Sequence, residues 1–251
     1  MKIQIYAFTI PEEAAAAAEM GVDHIGFVAG RYDLVPGELS FPEARTLCDA
    51  LPAHTTPVAL TMISDLDEIL RMVDAVQPDI VHISSDVEDV PEKAMEELRK
   101  RLDPKVQLMK ALPVGGVESL ELARRFAPFS DLFLLDTKVS GMPGVGATGR
   151  THDWSISRQI VEQFGVPVIL AGGLSPENVA ESIRQESKRW LKKHARKSMR
   201  QSSRKVSGRS LRPASWDCTP KSSNCLASSV TARVTVRMSC SIPSRFAGWP
   251  A

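Results

Sequence analysis

Short apolar runs alternate along the chain with longer stretches in which apolar residues recur every three or four positions. Lys2–Phe8 reads as a first strand, and Pro11-Glu12-Glu13 opens a helix that runs through alanines to Met20 and stops at Gly21. His24–Val28 is a second strand and Phe41–Leu51 a second helix. Pro57–Met62 and Asp65–Ala75 form the next pair, followed by Asp79–Ile83 with Pro91–Leu102 and by Val106–Ala111 with Val117–Phe126. Asp131–Asp136 is a sixth strand with Ser155–Phe164 as its helix. Pro167–Ala171 is a seventh, with a helix from Pro176 to about Arg184. The strands are apolar on both faces, as strands buried between helix layers must be. Seven strand–helix units of about 25 residues each argue for a parallel sheet covered by helices. Their number and spacing point to a (β/α)₈ TIM barrel, α/β in class, that lacks a native eighth strand. The turn Ala7-Phe8-Thr9 carries no dinucleotide glycine fingerprint, which counts against a doubly wound nucleotide-binding sheet.

Charge divides the chain where the pattern ends. Of 31 Lys and Arg and 30 Asp and Glu, the segment from Gln185 holds 15 basic and 2 acidic residues, leaving 16 basic and 28 acidic in 1–184, a net of −12. The expected division is a barrel over 1–184 and a basic, Ser- and Arg-rich, disordered tail over 185–251. So abrupt a change is what translation in a wrong reading frame would produce. The tail's aromatics are too sparse to stack on bases, and its three cysteines lack metal-ligand spacing, so a nucleic-acid arm and a zinc site are both disfavoured. Val230–Met238 alternates apolar and polar residues, but Arg233 and Arg237 would be costly in a strand buried on both faces. With no signal peptide and no stretch of membrane-spanning length, a cytoplasmic protein with reduced cysteines is expected.

Two stretches carry candidate chemistry. Phe133-Leu-Leu135 ends at Asp136, and Gly141, Gly144, Gly146 and Gly149 follow. Asp136 is either a turn cap or a general acid at the C-terminal mouth of a barrel, beneath a loop able to close. Gly172-Gly173, after the seventh strand and before Ser175-Pro176, is either a plain turn or a cradle in which backbone N–H groups and a helix N-terminus hold a phosphate. Cys48, inside a helix, reads as a small buried hydrophobe.

Leu134-Leu-Asp-Thr137, the loop Gly144-Val-Gly-Ala-Thr-Gly149 leading to Trp154, and Pro167–Val179 together resemble the phosphoribosylanthranilate isomerases of tryptophan biosynthesis, with looser agreement at Thr9–Glu13, Gly26-Phe27 and Val81-His-Ile83. The resemblance implies a cofactor-free, metal-free barrel that opens the ribose ring of a phosphorylated aminoaldose and isomerises it to an aminoketose, working as a monomer or homodimer. It makes Asp136 the acid that protonates the ring oxygen. Gly172, Gly173, Gly146, Thr148, Gly149 and Arg31 become the substrate and phosphate contacts. A desolvated acid at the barrel mouth would have a raised pKa, as that role needs.

The departures are equally specific. The family's base is a cysteine at the end of the first strand, and Tyr6 stands there in Gln4-Ile-Tyr-Ala7. A phenol, with a reference pKa of about 10, is a poor base at neutral pH. Glu38 falls nearer than Arg31 to the place of a substrate-binding arginine. His82 reads as a core or rim histidine. The serine–glycine–valine–glutamate phosphate loop of an eighth unit is missing. Three readings stay open: this isomerase in a weak or inactive form, a related phosphosugar isomerase or epimerase with another base, and an eroded, non-catalytic barrel with an RNA-binding tail.

Overall fold

The computed structural model describes residues 2–138, 144–146, 151–174, 178 and 234–239. Strands β1 (Lys2–Tyr6), β2 (His24–Ala29), β3 (Glu38–Leu39), β4 (Thr56–Thr61), β5 (Ile80–Ile83), β6 (Gln107–Pro113), β7 (Leu132–Asp136), β8 (Val168–Leu170) and β9 (Val234–Ser239) belong to one sheet in which every pairing is parallel. Helices α1 (Pro11–Glu19), α2 (Phe41–Asp49), α3 (Leu66–Val76), α4 (Glu92–Arg101), α5 (Glu118–Phe126) and α6 (Trp154–Phe164) fill the intervals. The strand order is β1-β9-β8-β7-β6-β5-β4-β2, and β1 also pairs with β2, so the sheet closes on itself with β3 attached outside the ring. This is the (β/α)₈ barrel that the alternation implies. No helix among the described residues is long and apolar enough to cross a membrane.

The expected gap beside the seventh barrel strand is filled. Val234–Ser239 lies between β8 and β1, pairing Val168 with Val234 and Tyr6 with Ser239, which corrects the expectation of an open edge. The physical reason is backbone satisfaction. Two facing edges present rows of unpaired N–H and C=O groups, and a segment with three β-branched residues in six can satisfy both. The expected helix after Pro176 and the rest of the tail lie outside the described residues.

Successive strand residues segregate to two cores, as the two-residue period requires. Ile25, Phe27, Phe133 and Leu135 pack with Ala14, Leu47, Ile69, Leu98 and Phe126 between sheet and helices. Tyr6, Val28, Val58, Ile80, Met109, Leu134 and Ile169 fill the barrel interior. A wholly buried side chain of this size contributes about 1.5–3 kcal/mol, so Phe133→Ala, which also leaves a cavity, should cost about 3–5 kcal/mol.

Local chemistry sets the helix starts. Ser40 and Glu43 form a capping box on α2, whose second helical residue is Pro42. Asp65 caps α3 by accepting from the N–H groups of Asp67 and Glu68, and Asp153 caps α6 through Ser155. Gln77 and Gly165, both at positive φ, end α3 and α6. At the N-terminal face of the barrel, the Asp131 carboxylate accepts from Leu108 N at 2.8 Å and pairs with Arg99 at 2.9 Å, joining β6, β7 and α4.

Candidate active site

Asp136 is the last residue of β7 and is only 2% exposed. It follows Leu134 by two positions and so shares its interior face. Thr137 turns back on it, its N–H donating to Asp136 Oδ1 at 2.7 Å and its hydroxyl at 3.4 Å. The cap and the acid are therefore compatible: one carboxylate oxygen meets the turn while the residue stays inside the mouth.

Tyr6, at the end of β1, is also interior and 4% exposed. Its ring lies against Gly26, where a Cβ would come within 2.2 Å of it, so β2 needs glycine at that place. Its hydroxyl reaches across to β5 and shares a 2.9 Å hydrogen bond with Nδ1 of the buried His82. His82 is a core histidine, as expected, and it is joined to Tyr6 across the barrel interior.

Residues 144–146, after β7, are fastened beside these groups. Val145 N donates to the Ser84 carbonyl at 2.9 Å, and Gly146 N to the Thr137 carbonyl at 2.9 Å. Val145 itself joins the interior core. Gly144, at φ +71°, passes so close that a Cβ would lie 2.6 Å from the Ser84 carbonyl oxygen. Thr148 and Gly149 lie outside the described residues. At the end of the neighbouring strand β8, Gly172 and Gly173 both take positive φ, +88° and +58°, and Asn178 Nδ2 donates to the Gly173 carbonyl at 2.8 Å. The paired glycines thus form a left-handed turn stapled from the following segment, which leaves their N–H groups at the end of β8.

Arg31 is not gathered with these residues. It is exposed, and its Nη2 donates to both oxygens of Glu43 at 2.6 and 2.7 Å. Glu38, the first residue of β3, is held by the loop before it: its carboxylate accepts from Tyr32 N, Asp33 N, Leu34 N and Val35 N at 2.7–3.1 Å. Burial pushes this carboxyl up, but the four N–H groups together outweigh it and hold the pKa below the ordinary value. Cys48 is free and half-buried, its thiol pushed up to about 12 by burial, so it offers no thiolate.

Lys110 escaped the sequence reading. It sits fully buried on β6 with its ammonium 2.8 Å from the Ser85 carbonyl and 5.6 Å from the Phe126 ring centre. Burial lowers its pKa to about 8, against the pull of Asp86, Asp89 and Glu88. The signal available was one lysine within the apolar run Leu108–Leu112. A cavity of about 340 Å³, lined by Asp86, Pro113, Glu118, Arg125, Lys138 and Val145 among others, opens beside the loop; Asp136 and Tyr6 are not in its lining. Among the described residues no three His, Cys, Asp or Glu side chains are grouped to hold a metal.

The closed parallel barrel finds its counterpart among known proteins. The family model for N-(5'-phosphoribosyl)anthranilate isomerase matches residues 9–192. The chain belongs to that family. A relative so named in Methanothrix thermoacetophila is 35% identical over 182 residues, covering 72% of this chain and 82% of its own. A second, from Methanosarcina mazei, is 36% identical over 184 residues, covering 73% and 80%. Among solved structures, the phosphoribosylanthranilate isomerase of Thermotoga maritima superposes with a TM-score of 0.57 at 27% identity, over 73% of this chain and 82% of that one. The Thermus thermophilus enzyme reaches a TM-score of 0.60 at 24% identity over the same shares, which bears on the fold. Membership of the phosphoribosylanthranilate isomerase family places this chain among the isomerases of tryptophan biosynthesis, the family named in the first of the three readings.

Proposed function

We propose that the chain carries out the family's aldose–ketose rearrangement with Asp136 as general acid, in the cytoplasm and as a monomer or homodimer. The observation that carries this reading is the position of Asp136: a nearly buried carboxylate on the barrel's interior face, at the strand end over which the Val145 loop is fastened. Protonating the ribose ring oxygen breaks its bond to the anomeric carbon and leaves an iminium. Losing the proton on the next carbon gives an enol-amine, and transfer of a proton to the first carbon yields the ketone. A solved phosphoribosylanthranilate isomerase holds reduced 1-(o-carboxyphenylamino)-1-deoxyribulose 5-phosphate, an analogue of that product type, and we take the same phosphorylated class as the ligand here. Its phosphate would meet the N–H groups of the Gly172-Gly173 turn, with Gly146, Thr148 and Gly149 contributing from the loop. Arg31 would first have to leave Glu43, so its contribution to binding is small.

The test is turnover of N-(5'-phosphoribosyl)anthranilate by the full chain and by Asp136→Asn. Removing a general acid costs about 10²–10⁴ in rate. A variant within about threefold of the parent, well inside that range, would overturn the assignment.

A further inference from the structure

The 2.9 Å contact between Tyr6 and His82 answers a problem that the sequence raises. A lone phenol at neutral pH holds its proton too firmly to take another from carbon. It can take one only if its own proton has somewhere to go at the same moment. We propose that Tyr6 and His82 form a proton relay that replaces the family's thiol base, an inference that rests on the isomerase reading above.

The geometry supplies each part. Both residues are almost wholly buried, on interior faces of β1 and β5, so the hydrogen bond between them does not compete with bulk water. The rings are tilted at 52° with centres 5.6 Å apart, which leaves the phenol oxygen, rather than the ring face, directed at the imidazole. Gly26 gives the Tyr6 ring its room. Leu134, two residues before Asp136, belongs to the same interior cluster as Tyr6, so acid and relay share one chamber.

In the step, Tyr6 Oη takes the proton from the sugar carbon next to the iminium while its own proton passes to His82 Nδ1. The carbon–hydrogen pair becomes the carbon–carbon double bond of the enol-amine, and the iminium π pair returns to nitrogen. Reversal of the relay delivers the proton from His82 through Tyr6 to the first sugar carbon, while the Asp136 carboxylate, left without its proton by the ring opening, takes the proton of the enol hydroxyl as that carbon becomes the ketone. Protons balance over the cycle, and no oxidant or further reactant is needed. Tyr6 touches the substrate, whereas His82 acts through Tyr6.

A double-mutant cycle separates this from mere packing. Tyr6→Phe keeps the ring against Gly26 and removes the relay, so kcat should fall by about 10²-fold or more. His82→Gln should cost about tenfold or more with Tyr6 present, and the isotope effect from deuterium on the abstracted carbon should rise as proton removal becomes limiting. In a Tyr6→Cys background, where a thiolate needs no relay, His82→Gln should cost less than about threefold, because interacting residues lose their coupling when one is replaced. Equal losses from His82→Gln in the Tyr6 and Cys backgrounds would overturn the relay and leave a structural histidine. Undiminished turnover by Tyr6→Phe would overturn it too, with the isomerase reading intact, whereas a parent that stays inactive until Tyr6→Cys brings it to life would overturn the relay together with the parent's own turnover. If parent and Tyr6→Cys are both inert, the isomerase reading fails and the relay falls with it.

Discussion

Ser84 and Val145 are joined by two hydrogen bonds, both of 2.9 Å: Val145 N donates to the Ser84 carbonyl, and Ser84 Oγ donates to the Val145 carbonyl. The end of β5 thereby holds the loop that β7 sends over the barrel mouth. Ser84→Ala removes one of the two bonds and strands the Val145 carbonyl, at a cost of about 1–3 kcal/mol to the closed loop. The loss should appear in kcat/KM with little change in thermal midpoint. Gly144→Ala should do more harm, since it meets both the positive φ and the Ser84 carbonyl. Steady-state kinetics of both variants check this, and parent-like values would show that closure does not govern turnover.

Acid should destabilise the fold before ordinary carboxylates titrate. His24, held at 3.0 Å from Gln4 Oε1 inside the barrel, and His152, at 2.6 Å from Ser157 Oγ, are both lowered to about 4, in each case by burial first. Their folded pKa values lie below the ordinary 6.5, so the unfolded chain binds the protons more tightly. Their contribution is complete above pH 6.5 and is lost as the pH falls towards 4. Denaturant midpoints followed from pH 7 to 4 should drop, and His24→Gln with His152→Gln should flatten the drop.

Lys110 acts in the opposite range. Its folded pKa of about 8 lies below its ordinary 10.5, so stability should rise with pH between those values as a proton that disfavours burial is released. The shift corresponds to about 3 kcal/mol in favour of the neutral form. Lys110→Met, apolar and of similar length, should be relatively more stable than the parent at pH 7, with the advantage shrinking towards pH 10. A constant difference across that range would show that the lysine is not titrating in the fold.

The closing strand is open to direct measurement. Amide hydrogens of Val234–Ser239 bridge β8 and β1, so they should exchange as slowly as those of the ring strands. Exchange at the rate of a free peptide would leave the ring open between β8 and β1.

Elements with a strong local signal were legible. Leu132–Asp136 is apolar on both faces and stops at a carboxylate, and β7 ends at that residue. The periodicity of Leu66–Val76 and the cysteine-free first strand end likewise needed no structure to be read. What escaped depends on partners far away in sequence. Tyr6 and His82 meet across 76 positions. Lys110 is tolerable in an apolar strand only because the Ser85 carbonyl and the Phe126 ring receive it. Glu38–Leu39 is too short for any periodicity, and β9 is a strand because two edges await it.

Glu38 sets a further condition on the rim. Its carboxylate already fills the concavity formed by four successive N–H groups from Tyr32 to Val35. A tethered anion competes at an effective concentration of about millimolar or above, so dissolved phosphate or sulfate scarcely displaces it. The loop therefore carries its own covalently attached anion, insensitive to the buffer around it. Neutralising that one side chain would turn the same backbone from a self-satisfied turn into an open receptor for anions, at a place where this parent chain admits none.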